Sequence, residues 1–279
     1  MASIRRLLRR AATRPAQRGD GGLLDQGLDS PVAYARRVDA LLAFWERVTS
    51  QQPALPAAES WIAIAVAAAV VFFPPSWRLA RHAVTIAHEA GHALVATLTG
   101  RKLSGIRLHS DTSGVTVSRG RPRGPAMIAT LLAGYTAPAI LGLGASWMLG
   151  AGYATGMLWA LLAALALVLV QVRNWFGLWS VLVSGALVFA ATWLLDERWR
   201  AFVATAVVAF MLLGALRATI ELQRVRRGGR ARNSDADQLA RLTHVPGIVW
   251  VGVFLAVAAG CAVVAGAFLG LTPLPSIAG

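Results

Sequence analysis

Long stretches without a charged residue dominate the chain after residue 60. No Asp, Glu, Lys or Arg occurs in residues 124–172, 174–195 or 242–279, which are runs of 49, 22 and 38 residues. A membrane-spanning helix needs about 20 apolar residues, and no single soluble core accounts for the longest run. The pattern predicts an all-α polytopic membrane protein with about six to seven transmembrane helices. The predicted spans are approximately residues 60–76, 82–99, 125–149, 153–172, 175–195, 200–217 and 246–271.

Composition and charge support this class. Hydrophobic residues make up 56% of the chain and charged residues 14%, whereas soluble domains carry about 25% charged residues. If seven spans alternate from an inner N-terminus, 23 of the 27 basic residues lie on the inner side. Positive charge concentrates on the cytoplasmic side of membrane proteins. The net charge of +14 therefore reflects membrane orientation and does not indicate a nucleic-acid partner. The prediction is a multi-pass protein of the cell (plasma) membrane with a cytoplasmic N-terminus.

The chain divides at the start of the first span. Residues 1–59 carry nine Arg and are predicted to form a basic tail with a short amphipathic helix over residues 31–48. Such a helix can lie on anionic lipid, although a solvated tail accounts for the same pattern. Residues 60–279 are predicted to form the membrane domain.

The second predicted span contains the sequence His-Glu-x-x-His, at His88, Glu89 and His92. Residues four apart share one face of a helix, so two imidazoles there can bind one Zn²⁺ while Glu89 accepts a proton from water. Ionisable side chains within a span are costly and are usually functional. The alternatives are a buried polar cluster between helices and a small ion- or proton-coupled transporter that uses the same residues as a relay.

A catalytic zinc ion usually has three protein ligands, and few acidic residues are available for the third. Asp235 and Asp237 precede the last predicted span, and either carboxylate can approach His92 if that segment dips towards the membrane. A capping role at the start of a helix is compatible with both residues. We favour Asp235 as the third ligand and keep Asp237 as the alternative.

The segment between the second and third spans has a hairpin pattern. Alternating stretches over residues 105–109 and 114–118 flank a polar turn. A hairpin beside the metal can offer an unpaired edge to an extended substrate, which makes Gly114 and Val115 candidate substrate-binding residues. Asn174 follows the fourth span, and its amide can bind substrate or cap the next helix.

With its intramembrane His-Glu-Ala-Gly-His, basic inner loop and later Asp near a membrane helix, the chain resembles the site-2 protease family of zinc metallopeptidases. It is most similar to the compact bacterial M50B-like branch, over about residues 60–271. No Leu-Asp-Gly, which well-studied members carry in the ligand helix, is present. The supporting stretches are Asp111–Thr116, Ala133–Pro138, Arg173–Gly177 and Ser234–Asp237.

The resemblance implies a membrane metallopeptidase with one Zn²⁺ per chain. His88, His92 and an Asp of the later acidic motif would be the ligands, and Glu89 the general base. The expected reaction is hydrolysis of peptide bonds in membrane-embedded or membrane-proximal substrates, with a transmembrane protein as substrate and the bilayer as partner. A catalytically degenerate relative that only binds membrane segments is the alternative, and the sequence does not indicate an oligomeric state.

Overall fold

The computed structural model describes residues 31–229 and 233–271. The chain forms two compact units, of which the first ends at Ser50. Its described part is a single helix, α1 (Pro31–Thr49). The predicted division after residue 59 falls within the second unit, near the start of its first helix. The tail before residue 31 lies outside the described residues.

The second unit contains eight helices and one β-hairpin in the part of the chain that the structure describes. The elements are α2 (Ala57–Phe72), α3 (Pro74–Leu98), β1 (Lys102–Leu108), β2 (Gly114–Arg119), α4 (Pro125–Gly150), α5 (Ala154–Gln171), α6 (Trp175–Leu194), α7 (Glu197–Arg227), α8 (Asp235–Thr243) and α9 (Gly247–Phe268).

Five helices are long and apolar enough to cross a membrane: α4, α5, α6, α7 and α9. Helices α2 and α3 pass the same test only together, as a pair bent by 100°. The described chain therefore has five candidate spans, or six if the pair counts as one. The predicted all-α membrane fold with a small hairpin is confirmed. Seven separate crossings are not found, because the first two predicted spans form the bent pair.

The bend between α2 and α3 follows from the sequence Phe73-Pro74-Pro75. A residue before proline is restricted to extended backbone, and Phe73 ends α2 at φ −79° and ψ 120°. Proline is favoured in the first turn of a helix, where its missing N–H costs nothing, so α3 begins at once in a new direction. Arg217 of α7 also donates a hydrogen bond to the carbonyl of Val71, which satisfies one acceptor at the end of α2.

Helix α2 enters the bundle at the end opposite the hairpin. Gln52 N donates to Gly152 O between α4 and α5 over 2.8 Å, and Glu59 pairs with Arg198 at the start of α7 over 2.7 Å. The hairpin instead meets the far end of α5, where Ile106 pairs with Val172. Helix α5 has 18 residues and is about 27 Å long.

This arrangement changes the charge argument for orientation. The count of 23 inner basic residues placed the nine Arg before residue 60 on the same side as the hairpin. With the bent pair counted as one crossing, the chain enters at the end opposite the hairpin. The cytoplasmic N-terminus therefore loses the support of that count and stays a prediction.

Small hydrophobic clusters attach the two non-spanning elements to the bundle. Ile106 and Leu108 of the hairpin are buried against Ile86 of α3 and Val181 of α6. Helix α8 is anchored by Ala236 and Leu239, which pack with the buried side chains Leu131, Leu222, Val251 and Phe254 of α4, α7 and α9. The hairpin and α8 are thus held by separate clusters, and each contributes a polar side chain to α3: Thr116 to Glu89, and Asp235 to the two histidines.

Cysteine labelling tests the single crossing of the bent pair. Cys261 is the only cysteine of the chain, so single-cysteine variants can be made in a Cys261→Ala background. A membrane-impermeant maleimide should treat Ala54→Cys and Glu197→Cys alike in intact cells and Ser110→Cys in the opposite way, because residues 54 and 197 lie at one end of the bundle. Labelling of Ala54→Cys that follows Ser110→Cys and differs from Glu197→Cys would instead support seven crossings.

Candidate metal centre and active site

Helix α3 presents His88, Glu89 and His92 towards the interior of the protein. Glu89 and His92 are buried, with 4% and 8% of their surface exposed. The helix packs closely on α4, because a side chain at Gly91 would lie 2.4 Å from the Cβ of Ala137. Glycine at position 91 therefore permits the approach of α4 that encloses the two histidines.

Asp235 of α8 completes a three-residue cluster with the two histidines. Its Oδ2 lies 3.3 Å from Nε2 of His88 and 3.2 Å from Nε2 of His92. The two Nε2 atoms are 3.0 Å apart. Among the described residues, these three form the group able to hold a metal ion. The geometry favours Asp235 over Asp237 as the third ligand.

The separations within the cluster fit a tetrahedral metal site. For metal–ligand distances of about 2.0–2.2 Å, three corners of a tetrahedron lie about 3.3–3.6 Å apart. The measured separations of 3.0, 3.2 and 3.3 Å are close to that range. Two nitrogens and one carboxylate oxygen are a common donor set for zinc in enzymes that keep the fourth position open.

Neighbours on α4 orient both imidazoles. Nδ1 of His92 lies 2.7 Å from the carbonyl oxygen of Thr130. A carbonyl can only accept, so Nδ1 carries a proton and Nε2 is the nitrogen that would bind a metal ion. The ring of Tyr135 stands edge-on to His88, with centroids 4.7 Å apart, and stacks on Phe254 at 5.1 Å. Both ligand rings are thus held in place before a metal binds.

The other acidic residue, Asp237, positions α8. Its Oδ1 accepts hydrogen bonds from Nη2 and Nε of Arg226 at 2.7 and 3.0 Å. Ser234, the N-cap of α8, donates to the Oδ2 of Asp237 and accepts from its backbone N–H. The N-cap hydroxyl thus bonds both the backbone and the side chain of Asp237 in the first turn. Asp237 therefore ties the first turn of α8 to α7, and that turn carries Asp235.

The pKa values of Asp235 and Asp237 are both lowered, but by different neighbouring groups. Burial works to raise the pKa of Asp235, but the imidazoles of His92 and His88 outweigh it and hold that pKa well below its ordinary value. Burial also opposes ionisation of Asp237, and the hydrogen bonds from Arg226 and Ser234 lower its pKa in the same way. Both groups are therefore carboxylates at neutral pH, as a ligand and an ion-pair partner must be.

Glu89 contacts the β-hairpin through its side chain and its backbone. The hydroxyl of Thr116 on β2 lies 2.6 Å from Glu89 Oε2 and 3.0 Å from its backbone carbonyl. At Gly114 the backbone approaches so closely that an added Cβ would lie 2.6 Å from Glu89 Oε1. Gly114, a predicted substrate-binding residue, therefore borders the proposed base directly.

Gly134 of α4 forms part of the wall of the ligand cluster. A Cβ at this position would lie 2.4 Å from Nε2 of His92 and 2.7 Å from Cε1 of His88. Sequence reasoning did not select Gly134 or Thr116 individually, although both lie in the stretches that carry the family resemblance. The available signal was a glycine within an apolar span, a position where close approach of a neighbour is a common cause.

Asn174 lies at the hairpin, against β1. Its Oδ1 accepts from Leu108 N at 3.1 Å, and its Nδ2 donates to Leu108 O at 2.6 Å. It occupies the N-cap position of α6 without a side-chain capping bond. The amide therefore completes the outer edge of β1. Substrate binding by Asn174 stays a prediction, with its amide already engaged here.

Comparison with known protein families gives one match. The profile of the Peptidase M50B-like family matches residues 61–265, which is most of the chain and includes His88, Glu89, His92 and Asp235. The chain belongs to the Peptidase M50B-like family. No curated protein and no solved structure matches it.

Membership of the M50B-like family confirms the resemblance to site-2 proteases that the motifs indicated. It also supports a peptidase of the membrane, consistent with the five or six candidate spans. The matched range excludes α1, so the family assignment concerns the second unit alone. Within the described part of that unit, His88, His92 and Asp235 form a group that could hold a metal ion.

Substitution of Gly134 tests whether the cluster needs the space on α4. Gly134→Ala should abolish metal binding, because the methyl group would occupy the position of both imidazoles. Gly144→Ala is the matched control, since a Cβ there meets no atom within 4 Å on the same helix. Zinc content after equilibrium dialysis measures the effect. Full zinc content in Gly134→Ala would contradict the proposed position of the ligands.

Substitution of Asp235 and Asp237 distinguishes a residue that binds the metal ion from one that only holds α8 in position. Asp235→Ala should lose the metal ion, because one of three ligand atoms is removed. Asp237→Ala should still bind one ion at saturating zinc but with affinity weakened roughly 10- to 100-fold, the usual effect of removing a supporting contact. Competition against a zinc-selective dye gives both values. A reversed order of the two variants would assign the ligand role to Asp237.

Proposed function

We propose that this protein is a zinc-dependent intramembrane endopeptidase with one Zn²⁺ per chain, acting on transmembrane protein substrates in the cell membrane. The observation that carries the proposal is the His88, His92 and Asp235 cluster with Glu89 on the same helix. A metal site alone would also suit a binding protein or a transporter. A buried carboxylate one residue from a proposed ligand, bordered by the hairpin, favours hydrolysis.

The residues of the chain divide the chemistry between them. When bound, zinc supplies Lewis-acid chemistry, which activates water and polarises a carbonyl oxygen. His88, His92 and Asp235 hold the ion, and the Thr130 carbonyl fixes the tautomer of His92. Glu89 removes the proton from the attacking water and then delivers it to the leaving amine. Thr116 already occupies Oε2 of Glu89, so Oε1 is the oxygen that accepts the proton.

The hairpin has one edge that is covered and one that is open. The backbone N–H of Leu108 donates to the Asn174 side chain, and the Leu108 carbonyl accepts from it. The Ile106 carbonyl accepts from Arg173 N at 2.8 Å. The backbones of Ile106 and Leu108 therefore point away from β2. Directly opposed residues in an antiparallel pair share this orientation. Their partners Thr116 and Gly114 accordingly direct their backbone groups away from β1, towards the open edge.

This open edge is the proposed substrate site. The described sheet has two strands, so Gly114 and Thr116 can pair with an incoming extended segment. Val115 alternates with them, and its side chain is 48% exposed, which suits contact with an apolar substrate residue. A helical substrate must unwind before hydrolysis, and pairing with β2 would hold the unwound segment next to Glu89.

Glu89→Gln tests the proposed reaction. The variant should retain one zinc per chain, because the three ligands are unchanged, but its cleavage rate should fall by about 10²–10⁴-fold, the usual contribution of a general base. The assay combines detergent-purified protein with synthetic single-span peptides that carry a central Gly-Pro pair, and mass spectrometry identifies the products.

The controls separate the competing functions. Removal of zinc by a chelator should stop cleavage by the wild type, and added zinc should restore it. Equal product formation by Glu89→Gln would exclude the proposed mechanism. Zinc binding by the wild type without any cleavage of peptides or of a solubilised membrane proteome would favour a degenerate relative that binds membrane segments.

A further inference from the structure

The β-hairpin is fixed to the rest of the protein at several points that do not involve Thr116. Thr85 of α3 donates to the Thr112 carbonyl at 3.0 Å, and Asn174 and Arg173 hold β1. Arg101 reaches Ser118 at 3.1 Å. The hydroxyl of Thr116 is therefore not needed to dock the hairpin, and its contact with Glu89 calls for a separate explanation.

The Thr116 hydroxyl has a single proton and faces two acceptors on the same residue. Its distance of 2.6 Å to Glu89 Oε2 is that of a hydrogen bond to a charged carboxylate, and the contact with the Glu89 carbonyl is longer at 3.0 Å. A glutamate side chain has three rotatable bonds, so a fixed contact at one oxygen restricts where the other can be. The described hydrogen bonds of the Glu89 carboxylate come from Thr116 alone.

Gly114 limits the same carboxylate from the other side. With no side chain, it leaves just enough room for Glu89 Oε1, since a Cβ would lie 2.6 Å from that atom. Two residues of β2 thus restrict the positions of both carboxylate oxygens of Glu89. Thr116 fixes Oε2 by a hydrogen bond, and Gly114 bounds the space around Oε1.

We propose that Thr116 is a positioning residue for Glu89, and that β2 aligns the base through this hydroxyl while its backbone pairs with substrate. This inference rests on the proposed function, and it adds a residue that sets the geometry of proton transfer. The coupling arises because one residue serves both purposes: its side chain points to Glu89 and its backbone lies on the open edge. A substrate strand that pairs with Thr116 therefore also holds the base in place.

The test uses a probe that needs no known substrate. A fluorescein-labelled leucyl-leucine hydroxamate binds a zinc peptidase through the metal and gives its proton to the base, so its affinity depends on the position of Glu89. Binding is measured by fluorescence anisotropy in detergent for wild type, Thr116→Val, Thr116→Ser and Glu89→Gln. Ser118→Ala is the matched control, because Ser118 lies two residues further on β2 and contacts Arg101 instead of Glu89. Zinc content is measured for every variant.

The expected results distinguish a change in the position of Glu89 from a general loss of folding. Thr116→Val preserves the shape of the side chain and should weaken hydroxamate binding about tenfold, whereas Thr116→Ser and Ser118→Ala should stay within roughly twofold of wild type. All should retain one zinc per chain. Loss of affinity in Thr116→Val that Thr116→Ser recovers supports the positioning role.

Two other results would overturn the inference, and they are distinguishable. Wild-type affinity in Thr116→Val, together with weak binding in Glu89→Gln, would remove the role of Thr116 and leave the proposed function intact. Absence of zinc and of hydroxamate binding in the wild type would remove the proposed function itself, and the role of Thr116 with it.

Discussion

The meeting of one carboxylate with two imidazoles is the constraint on which the rest of the second unit depends. Asp235 Oδ2 lies within 3.3 Å of both His88 and His92, although its helix is separated from α3 by four candidate spans. Uncompensated, a buried carboxylate in such apolar surroundings is unfavourable. Its neighbours can therefore be understood as supports: Arg226 and Asp237 hold the first turn of α8, and the small residues of α4 leave space for the rings.

The part of this site that depends on local periodicity could be predicted from the sequence. His88 and His92 share a face because a helix repeats every 3.6 residues, and no other part of the chain is needed to see it. The choice between Asp235 and Asp237 was different. Both lie in the first turn of the same short helix, and they differ in their contacts. Asp237 pairs with Arg226, 11 residues away on another helix, whereas Asp235 meets the two histidines. A partner at that distance leaves no periodic signal.

The same distinction separates the parts of the fold that were predicted from those that were not. Apolar length identified the membrane helices, but hydropathy does not record direction, so α2 and α3 were counted as two crossings although Phe73-Pro74-Pro75 turns the chain by 100°. The hairpin followed from alternation, whereas its attachment through Asn174 required tertiary contacts. The role of Thr116 could not be predicted either, because threonine is common in strands and its contact with Glu89 is visible only in the folded structure.

The short helix before the bend has a consequence for the surrounding lipid. With 16 residues, α2 is about 24 Å long, whereas the hydrocarbon core of a typical bilayer is about 30 Å thick. Phe72 and Phe73 lie at its end with more than half of their surface exposed. If α2 supplies most of the crossing of the bent pair, local thinning of the bilayer is one way to relieve the mismatch. Thinning beside the bend would bring the aqueous phase closer to α3, so a hydrolytic centre within the membrane would be reached by water over a shorter path than the full bilayer imposes.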